Sequence, residues 1–138
     1  MTPLLDVNVL MTLLWENHGH HGRARQWPRT VTEFATCPVS QLGFARISTH
    51  SMLGHRMSPE QSFGVLRKLL SDSRHRFVAD DLSCEDRVLL IERIPSANHV
   101  TDHYLAALAR QHGRRLATFD GALGGAFPDE PGLVEVMP

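Results

Sequence analysis

The chain has 138 residues, 42% of them hydrophobic and 21% charged, which is ordinary for a soluble globular protein and predicts one domain spanning residues 1–138. Its formal net charge of −1 argues against a strongly basic nucleic-acid binder, although all but one of the basic residues are arginines, whose planar guanidinium suits phosphate. No apolar run approaches the roughly 18 residues that span a bilayer. The N-terminus lacks the pattern of an export signal, so we expect a cytoplasmic protein that does not contact membranes.

Short apolar segments alternate with helical patterns from the first residues onward. Leu4-Leu5 predicts a buried strand that ends at Asp6. A helix is then predicted with Asn8 as its N-cap, running through Trp15. In open α/β sheets, ligands bind outside the carboxyl ends of the strands, and Asp6 would lie there.

The same alternation continues to the end of the chain. Further strands are predicted at Thr32–Cys37, His75–Ala79, Arg115–Phe119 and Leu133–Val136. Further helices are predicted from about His20 to Trp27, from Ser40 through Ile47, from Ser58 through Leu70, from Ser83 to near Pro95, and from Thr101 to about His112. Short strands linked by helices predict an α/β fold with a parallel sheet covered on both faces.

Three aspartates are placed to meet at one edge of this sheet. Asp6 and Asp120 each follow a strand, and Asp102 lies in the first turn of a helix. Asp102 also has a purely structural explanation, because the helix dipole favours a carboxylate there. Together, three close carboxylates would repel, and their pKa values would rise unless a cation neutralised them. Oxygen ligands of this kind suit Mg²⁺ or Mn²⁺, and such a site suits phosphodiester hydrolysis.

The chain resembles the PIN-domain ribonucleases, and more narrowly the VapC toxins of bacterial toxin–antitoxin pairs. Four segments carry the resemblance: Leu4–Leu10 around Asp6, Cys37–Arg46, Val100–Ala109 around Asp102, and Leu116–Asp120. It implies a single PIN domain, a three-layer α/β/α sandwich whose central, mainly parallel sheet has about five short strands. It further implies a Mg²⁺-dependent endoribonuclease that cleaves RNA phosphodiesters through a metal-activated water, a cognate VapB-type antitoxin as partner, and a homodimer.

The resemblance also assigns roles to single residues. Asp6 and Asp102 match the metal ligands and catalytic acids of the family, and Asp120 matches its further acidic residue. Asn8 and Thr118 match polar residues that flank and orient these acids. Two further supporting residues lie on the helix after the second strand. Gln41 stands where many PIN domains have a glutamate. Arg46 is expected either to face the site or RNA phosphate, or to form an ion pair on the surface.

Two other functions remain open from the residues. Gln41 in place of a glutamate is compatible with a degenerate PIN domain that only binds RNA or an antitoxin. The apolar strand before Asp6 also resembles a haloacid-dehalogenase-type phosphatase, but that motif needs a second acid where this chain has Asn8.

Several other polar residues have structural explanations that we prefer. The spacing of His18, His20 and His21 does not place all three on one helical face, which disfavours a zinc site. Asp80-Asp81 is interpreted as a turn and helix start, and the two cysteines as buried, reduced thiols. These cysteines are Cys37 and Cys84.

Overall fold

The computed structural model describes residues 1–14, 31–50 and 57–138, and within them it contains a five-stranded sheet in which all pairings are parallel. The predicted helix from His20 to Trp27 lies outside the described residues. The strand order is β3-β2-β1-β4-β5, which confirms the predicted α/β class. The strands are β1 Pro3–Leu5, β2 Phe34–Thr36, β3 His75–Phe77, β4 Arg115–Thr118 and β5 Val134–Val136.

Five α-helices and two 3₁₀ turns connect these strands in the described ranges. The helices are α1 Val7–Leu14, α2 Pro38–Ser48, α3 Pro59–Leu70, α4 Val100–Gln111 and the short α5 Gly121–Gly124, and the 3₁₀ turns are Ile91–Arg93 and Ala97–His99. The start of α3 is as the sequence predicts, because the Ser58 and Gln61 side chains each accept a hydrogen bond from the other residue's backbone N–H. Among the described residues, no helix has the length and apolar character needed to cross a membrane.

The sheet separates two apolar clusters, which gives three layers. Leu4 belongs to the cluster that contains much of α4, whereas its neighbour Leu5 belongs to the cluster that contains Phe44 of α2 and Leu66 of α3. This division follows from the period of two in a strand, which sends successive side chains to opposite faces. Because both faces are covered, β1 and β2 are buried at every position, and β4 is buried at every position after Arg115.

The strand register decides which residues meet at the carboxyl edge. In the pairing of β1 with β4, Leu5 lies opposite Ala117. Asp6 and Thr118 therefore follow at the same level on neighbouring strands, and the Asp6 backbone N–H bonds to the Ala117 carbonyl at 3.0 Å. Two residues that are more than a hundred positions apart in sequence are thus brought side by side.

One predicted helix is wrong, and three helices begin earlier than predicted. Helix α2 begins at Pro38 and not at Ser40, and α4 begins at Val100 with His99 as its N-cap and not Thr101. The helix predicted from Ser83 to near Pro95 is replaced by turns and the 3₁₀ turn Ile91–Arg93. Ser83 and Asp86 accept hydrogen bonds from backbone N–H groups two residues later, and such contacts compete with helical backbone pairing. Helix α1 begins at Val7, so Asp6 occupies the N-cap position that was predicted for Asn8.

Candidate active site

Asp6 is a buried carboxylate at the junction of β1 and α1. Its side chain is only 2% exposed. One oxygen, Oδ1, accepts a hydrogen bond from the backbone N–H of Val7, the first residue of α1, at 2.7 Å. The other, Oδ2, accepts a hydrogen bond from the Thr118 hydroxyl at 2.7 Å. The side chain therefore has a fixed orientation before any ligand binds.

Thr118 links three polar groups at the end of β4. Its buried hydroxyl donates to Asp6, and it accepts hydrogen bonds from Asn8 Nδ2 at 3.2 Å and from the Asp120 backbone N–H at 3.1 Å. Asn8 is held at its other end as well, because its Oδ1 accepts from the Phe119 backbone N–H at 3.2 Å. These contacts support the prediction that Asn8 and Thr118 orient the acids.

The two remaining aspartates lie on neighbouring elements. Asp120 precedes α5, and its Oδ1 accepts a hydrogen bond from the Ala122 backbone N–H at 3.0 Å. Asp102 lies in the first turn of α4 and is only partly buried, so it is accessible to solvent. We call Asp6, Asp102 and Asp120 the acidic cluster.

The charges of the acidic cluster act on one another. Burial raises the pKa of Asp102 to about 6, and repulsion from Asp6 and Asp120 adds to this rise. Burial also raises the pKa of Asp6, with a contribution from Asp120, although the hydrogen bonds from Thr118 and Val7 oppose it. His99, just before α4, partly compensates the charge at Asp102. Electrostatically, the three acids form one site.

The chemistry of these side chains fits a hard divalent cation. All three are carboxylates, and burial together with repulsion from Asp6 and Asp120 raises the pKa of Asp102, so a bound cation would favour its ionised form. In residues 1–14, 31–50 and 57–138, no three His, Cys, Asp or Glu side chains are close enough to form a complete ligand group.

The sequence model of the PIN domain family matches residues 4–124, a range that contains the whole acidic cluster. The chain belongs to this family. The match gives no support to the phosphatase alternative, whose second acid is in any case replaced by Asn8. This PIN protein also has clear relatives among the VapC proteins.

Two curated relatives come from Mycobacterium tuberculosis. Ribonuclease VapC38 is 40% identical over 87% of this chain and 86% of its own length. Ribonuclease VapC39 is 38% identical, with 99% of this chain and 100% of that protein covered. These similarities assign the PIN protein to the VapC group. Among solved structures, the crystal structure of Mycobacterium tuberculosis VapC20, described as a Sarcin-Ricin loop cleaving toxin, matches with a TM-score of 0.72. The match covers 99% of this chain and 100% of the VapC20 chain at 19% sequence identity, and at this identity it shows the fold alone.

Gln41, which replaces the usual glutamate of PIN domains, belongs to a hydrogen-bonded chain of side chains. Its Nε2 donates to the buried Thr36 hydroxyl at 2.9 Å, and Thr36 Oγ1 lies 2.7 Å from His75 Nε2. Burial lowers the pKa of His75, and its ring also hydrogen-bonds to the backbone of Leu70. A neutral imidazole carries one N–H, and here that N–H donates to the Leu70 carbonyl. Nε2 therefore has no proton and accepts a hydrogen bond from the Thr36 hydroxyl. Because the hydroxyl proton is used in this way, Thr36 Oγ1 accepts the hydrogen bond from Gln41. A glutamate could not donate this bond. The sequence carried no signal for His75.

Arg46 lines a groove together with Asp102. Within the described ranges it forms no ion pair, whereas five other arginines pair with nearby carboxylates. Among the described residues, Arg67, Arg87 and Arg114 likewise have no such pair, so whether Arg46 faces the site stays a prediction. The groove itself was not predicted from the sequence.

The other candidates have structural partners. Asp80 Oδ2 accepts a hydrogen bond from the Val39 backbone N–H at the start of α2, and Asp81 bonds to His112 and Gln111. Cys37 and Cys84 are free thiols; Cys37 is buried as predicted, whereas Cys84 is exposed, so the prediction of its burial is wrong. His18, His20 and His21 lie outside the described residues, as does Trp15, the predicted end of the first helix.

Proposed function

We propose that this PIN protein is a Mg²⁺-dependent endoribonuclease and the toxin of a VapB–VapC-type pair. One observation carries the proposal: Asp6, Asp102 and Asp120 lie together at the carboxyl edge of the sheet, where burial and then the charges of Asp6 and Asp120 raise the pKa of Asp102 to about 6. Three acids that perturb one another at the carboxyl edge of the sheet suit phosphoryl chemistry better than a structural role. The names of the VapC relatives, which are ribonucleases, support RNA as the substrate.

Asp6, Asp102 and Asp120 would hold the cation, with Mn²⁺ as a possible substitute for Mg²⁺. A bound divalent ion supplies Lewis-acid stabilisation of the phosphate charge and lowers the pKa of water. Asp102 must lose its proton to act as a ligand, so cation binding should strengthen as the pH rises through about 6.

The chain's own residues position this site. Thr118 holds Asp6 in one orientation, and Asn8 holds Thr118, so the carboxylate does not have to be ordered when substrate arrives. Arg46 would neutralise a phosphate oxygen of the bound RNA, since it lies in the groove beside Asp102 and has no carboxylate partner among the described residues.

The proposed partner is an antitoxin of the VapB type, and the proposed working place is the cytoplasm. A segment of the antitoxin would cover the acidic cluster, where a basic side chain such as arginine can replace the charge of the cation. Homodimerisation, also implied by the family, stays a prediction that sedimentation of the purified toxin would test.

The decisive experiment is cleavage of a pool of structured RNAs by the purified protein, with Mg²⁺, with EDTA, and with the Asp6→Asn variant. Asp129→Asn is the matched control, because Asp129 is 76% exposed and lies outside the acidic cluster. We expect cleavage that needs both Mg²⁺ and Asp6 and that survives Asp129→Asn. Cleavage by folded Asp6→Asn protein would refute the assignment of the site.

One outcome would favour a binding module instead of an enzyme. Gln41 brings no negative charge to a position where many PIN domains carry a glutamate. If folded protein free of antitoxin binds RNA but cuts none, the degenerate-domain alternative is preferred. The Gln41→Glu variant then tests whether the missing carboxylate is the reason.

A further inference from the structure

His99 lies immediately before α4, at the end of the helix that carries Asp102. It is the N-cap residue of α4, and Asp102 is the third residue of that helix. The side chains at these two positions are the ones that meet the helix start together in a capping box. The imidazole of His99 makes no capping bond to the α4 backbone, and the residue is only partly buried. Its ring is therefore available to a ligand at the acidic cluster.

A serine of the preceding turn fixes one nitrogen of the His99 ring. Nδ1 lies 2.9 Å from the Ser96 hydroxyl oxygen, and the His99 backbone N–H bonds to the Ser96 carbonyl at 3.0 Å. A hydroxyl can donate to Nδ1 of a neutral ring or accept from Nδ1 of a protonated ring, so this contact suits both forms. When Nδ1 accepts from Ser96, the ring proton is on Nε2. The described part of the chain offers Nε2 no hydrogen-bond partner.

His99 and Asp102 act on each other through their charges without touching. Burial and the charges of Asp6 and Asp120 raise the pKa of Asp102, whereas the charge of His99 lowers it. No ion pair of 4.0 Å or less joins His99 to Asp102 in the described residues. This separation leaves room for a substrate oxygen between the imidazole and the acidic cluster.

The proposed reaction needs a proton donor that the acidic cluster does not supply. When a phosphodiester bond breaks, the leaving ribose oxygen becomes a strong base unless it receives a proton. The aspartates that hold a cation must be ionised, so they bring no proton. Imidazole is the side chain that acts most often as a general acid near neutral pH. The neighbouring His103 is unsuited to this role, because it is 4% exposed and its ring packs against Phe127.

We propose that His99 is the general acid of RNA cleavage and donates its Nε2 proton to the ribose oxygen that leaves phosphorus. This inference rests on the proposed function and adds a catalytic residue to it. In the step, the oxygen of a water molecule forms a bond to phosphorus, and the bond from phosphorus to the leaving oxygen breaks. The electron pair of that bond stays on the leaving oxygen, which takes the Nε2 proton. The attacking water loses one proton to solvent, and His99 regains one from solvent. Ser96 acts through His99, as a positioning residue.

The first test makes the leaving group independent of a proton. Its substrates are an RNA that the wild type cuts at one mapped position and the same RNA with sulfur in place of the leaving oxygen. The end groups of the products show which ribose oxygen leaves. A thiolate leaves without being protonated, so His99→Gln should slow cleavage of the oxygen RNA by about 100-fold but should cut the sulfur RNA at nearly the wild-type rate.

Two other positions supply the matched variants. His112→Gln is the control, because His112 is the C-cap of α4 and pairs with Asp81 at the far end of the same helix. It should leave both rates unchanged. Ser96→Ala should slow cleavage of the oxygen RNA by about fivefold and not that of the sulfur RNA, and Ser96→Thr, which keeps the hydroxyl, should restore the rate. If His99→Gln does not fold, Ser96→Ala carries the same comparison of the two RNAs.

The second test observes the ring without catalysis. Asp6→Asn protein with isotope-labelled histidine is titrated with the oxygen RNA, and nitrogen resonances are followed by NMR. The His99 signals are the ones that disappear in the His99→Gln variant. We expect the Nε2 resonance of His99 to shift when RNA binds, and that of His112 to stay in place.

The results separate the inference from the proposed function. Equal slowing of both RNAs by His99→Gln would show that His99 does not protonate the leaving group, and an unshifted His99 resonance in protein that binds RNA would show that it does not contact the substrate. Either result overturns the inference. If the wild type needs Mg²⁺ and Asp6 to cut RNA and folded His99→Gln cuts equally fast, the inference fails while the proposed function stands. Wild-type protein that cuts no RNA would overturn both.

Discussion

Replacing Asp102 with asparagine should make the metal-free protein more stable at neutral pH, although it should abolish activity. The folded state raises the pKa of Asp102 from 3.8 to about 6. A carboxyl whose pKa is higher in the folded than in the unfolded state stabilises the fold while it is protonated. That stabilisation is complete below pH 3.8 and is lost as the pH rises through about 6. In EDTA, the wild-type free energy of unfolding should therefore carry a component that falls over this interval.

The expected size follows from the same values. A rise from 3.8 to about 6 corresponds to about 3 kcal/mol, because one pKa unit is worth about 1.4 kcal/mol. Asp102 is only half-buried, so solvent screening reduces this to about 1 to 2 kcal/mol. Asparagine also loses the favourable interaction of a carboxylate with the first turn of α4, about 0.5 kcal/mol. The net gain is about 1 kcal/mol, or a rise in Tm of about 3 to 6 °C for a domain of this size.

The assay is thermal unfolding in EDTA at an acidic and at a neutral pH. The control is Glu60→Gln, which replaces an exposed carboxylate in the first turn of α3 and should lower stability slightly. Added Mg²⁺ should stabilise the wild type at neutral pH and have little effect on Asp102→Asn. An Asp102→Asn variant that is less stable than the wild type at neutral pH, or that keeps the wild-type pH slope, would refute the reasoning from burial and charge repulsion.

Three further changes test other contacts. Gln41→Glu removes the donor at one end of the hydrogen-bonded chain, so the pKa of the His75 ring should rise. NMR titration of the His75 imidazole measures this, and an unchanged titration would contradict the deduced direction of the bonds. Thr118→Val removes a hydroxyl with three hydrogen bonds, so it should lower the free energy of unfolding by about 1 to 3 kcal/mol and slow RNA cleavage. Urea unfolding and cleavage kinetics measure the two effects. A variant with wild-type values would show that the hydroxyl is dispensable. Gly43→Ala should destabilise by about 1 to 3 kcal/mol, because the added Cβ would meet a Val7 methyl at 2.6 Å; an equally stable variant would mean that the two helices separate at no cost.

The sequence alone determined the local features of this protein. Every strand that the structure describes overlaps a strand predicted from the sequence, and the capping residues predicted the start of α3. The aspartates after the strands predicted the edge at which the site would lie. These features depend on neighbouring residues, which a linear pattern contains. The pattern was wrong between Ser83 and Pro95, where side chains that bond to the backbone two residues later replaced the expected helix.

Only the tertiary structure decided the properties that depend on distant residues. The hydrogen bond of Thr118 to Asp6 joins positions 112 residues apart, and it exists because β1 and β4 pair in one particular register. The pKa of Asp102 depends on burial and on two charges from other elements. Similarly, the direction of the Gln41 amide depends on His75, which is brought close by the pairing of β2 with β3. Burial and long-range contacts are set by the whole fold, and for this reason no short segment of sequence reveals them.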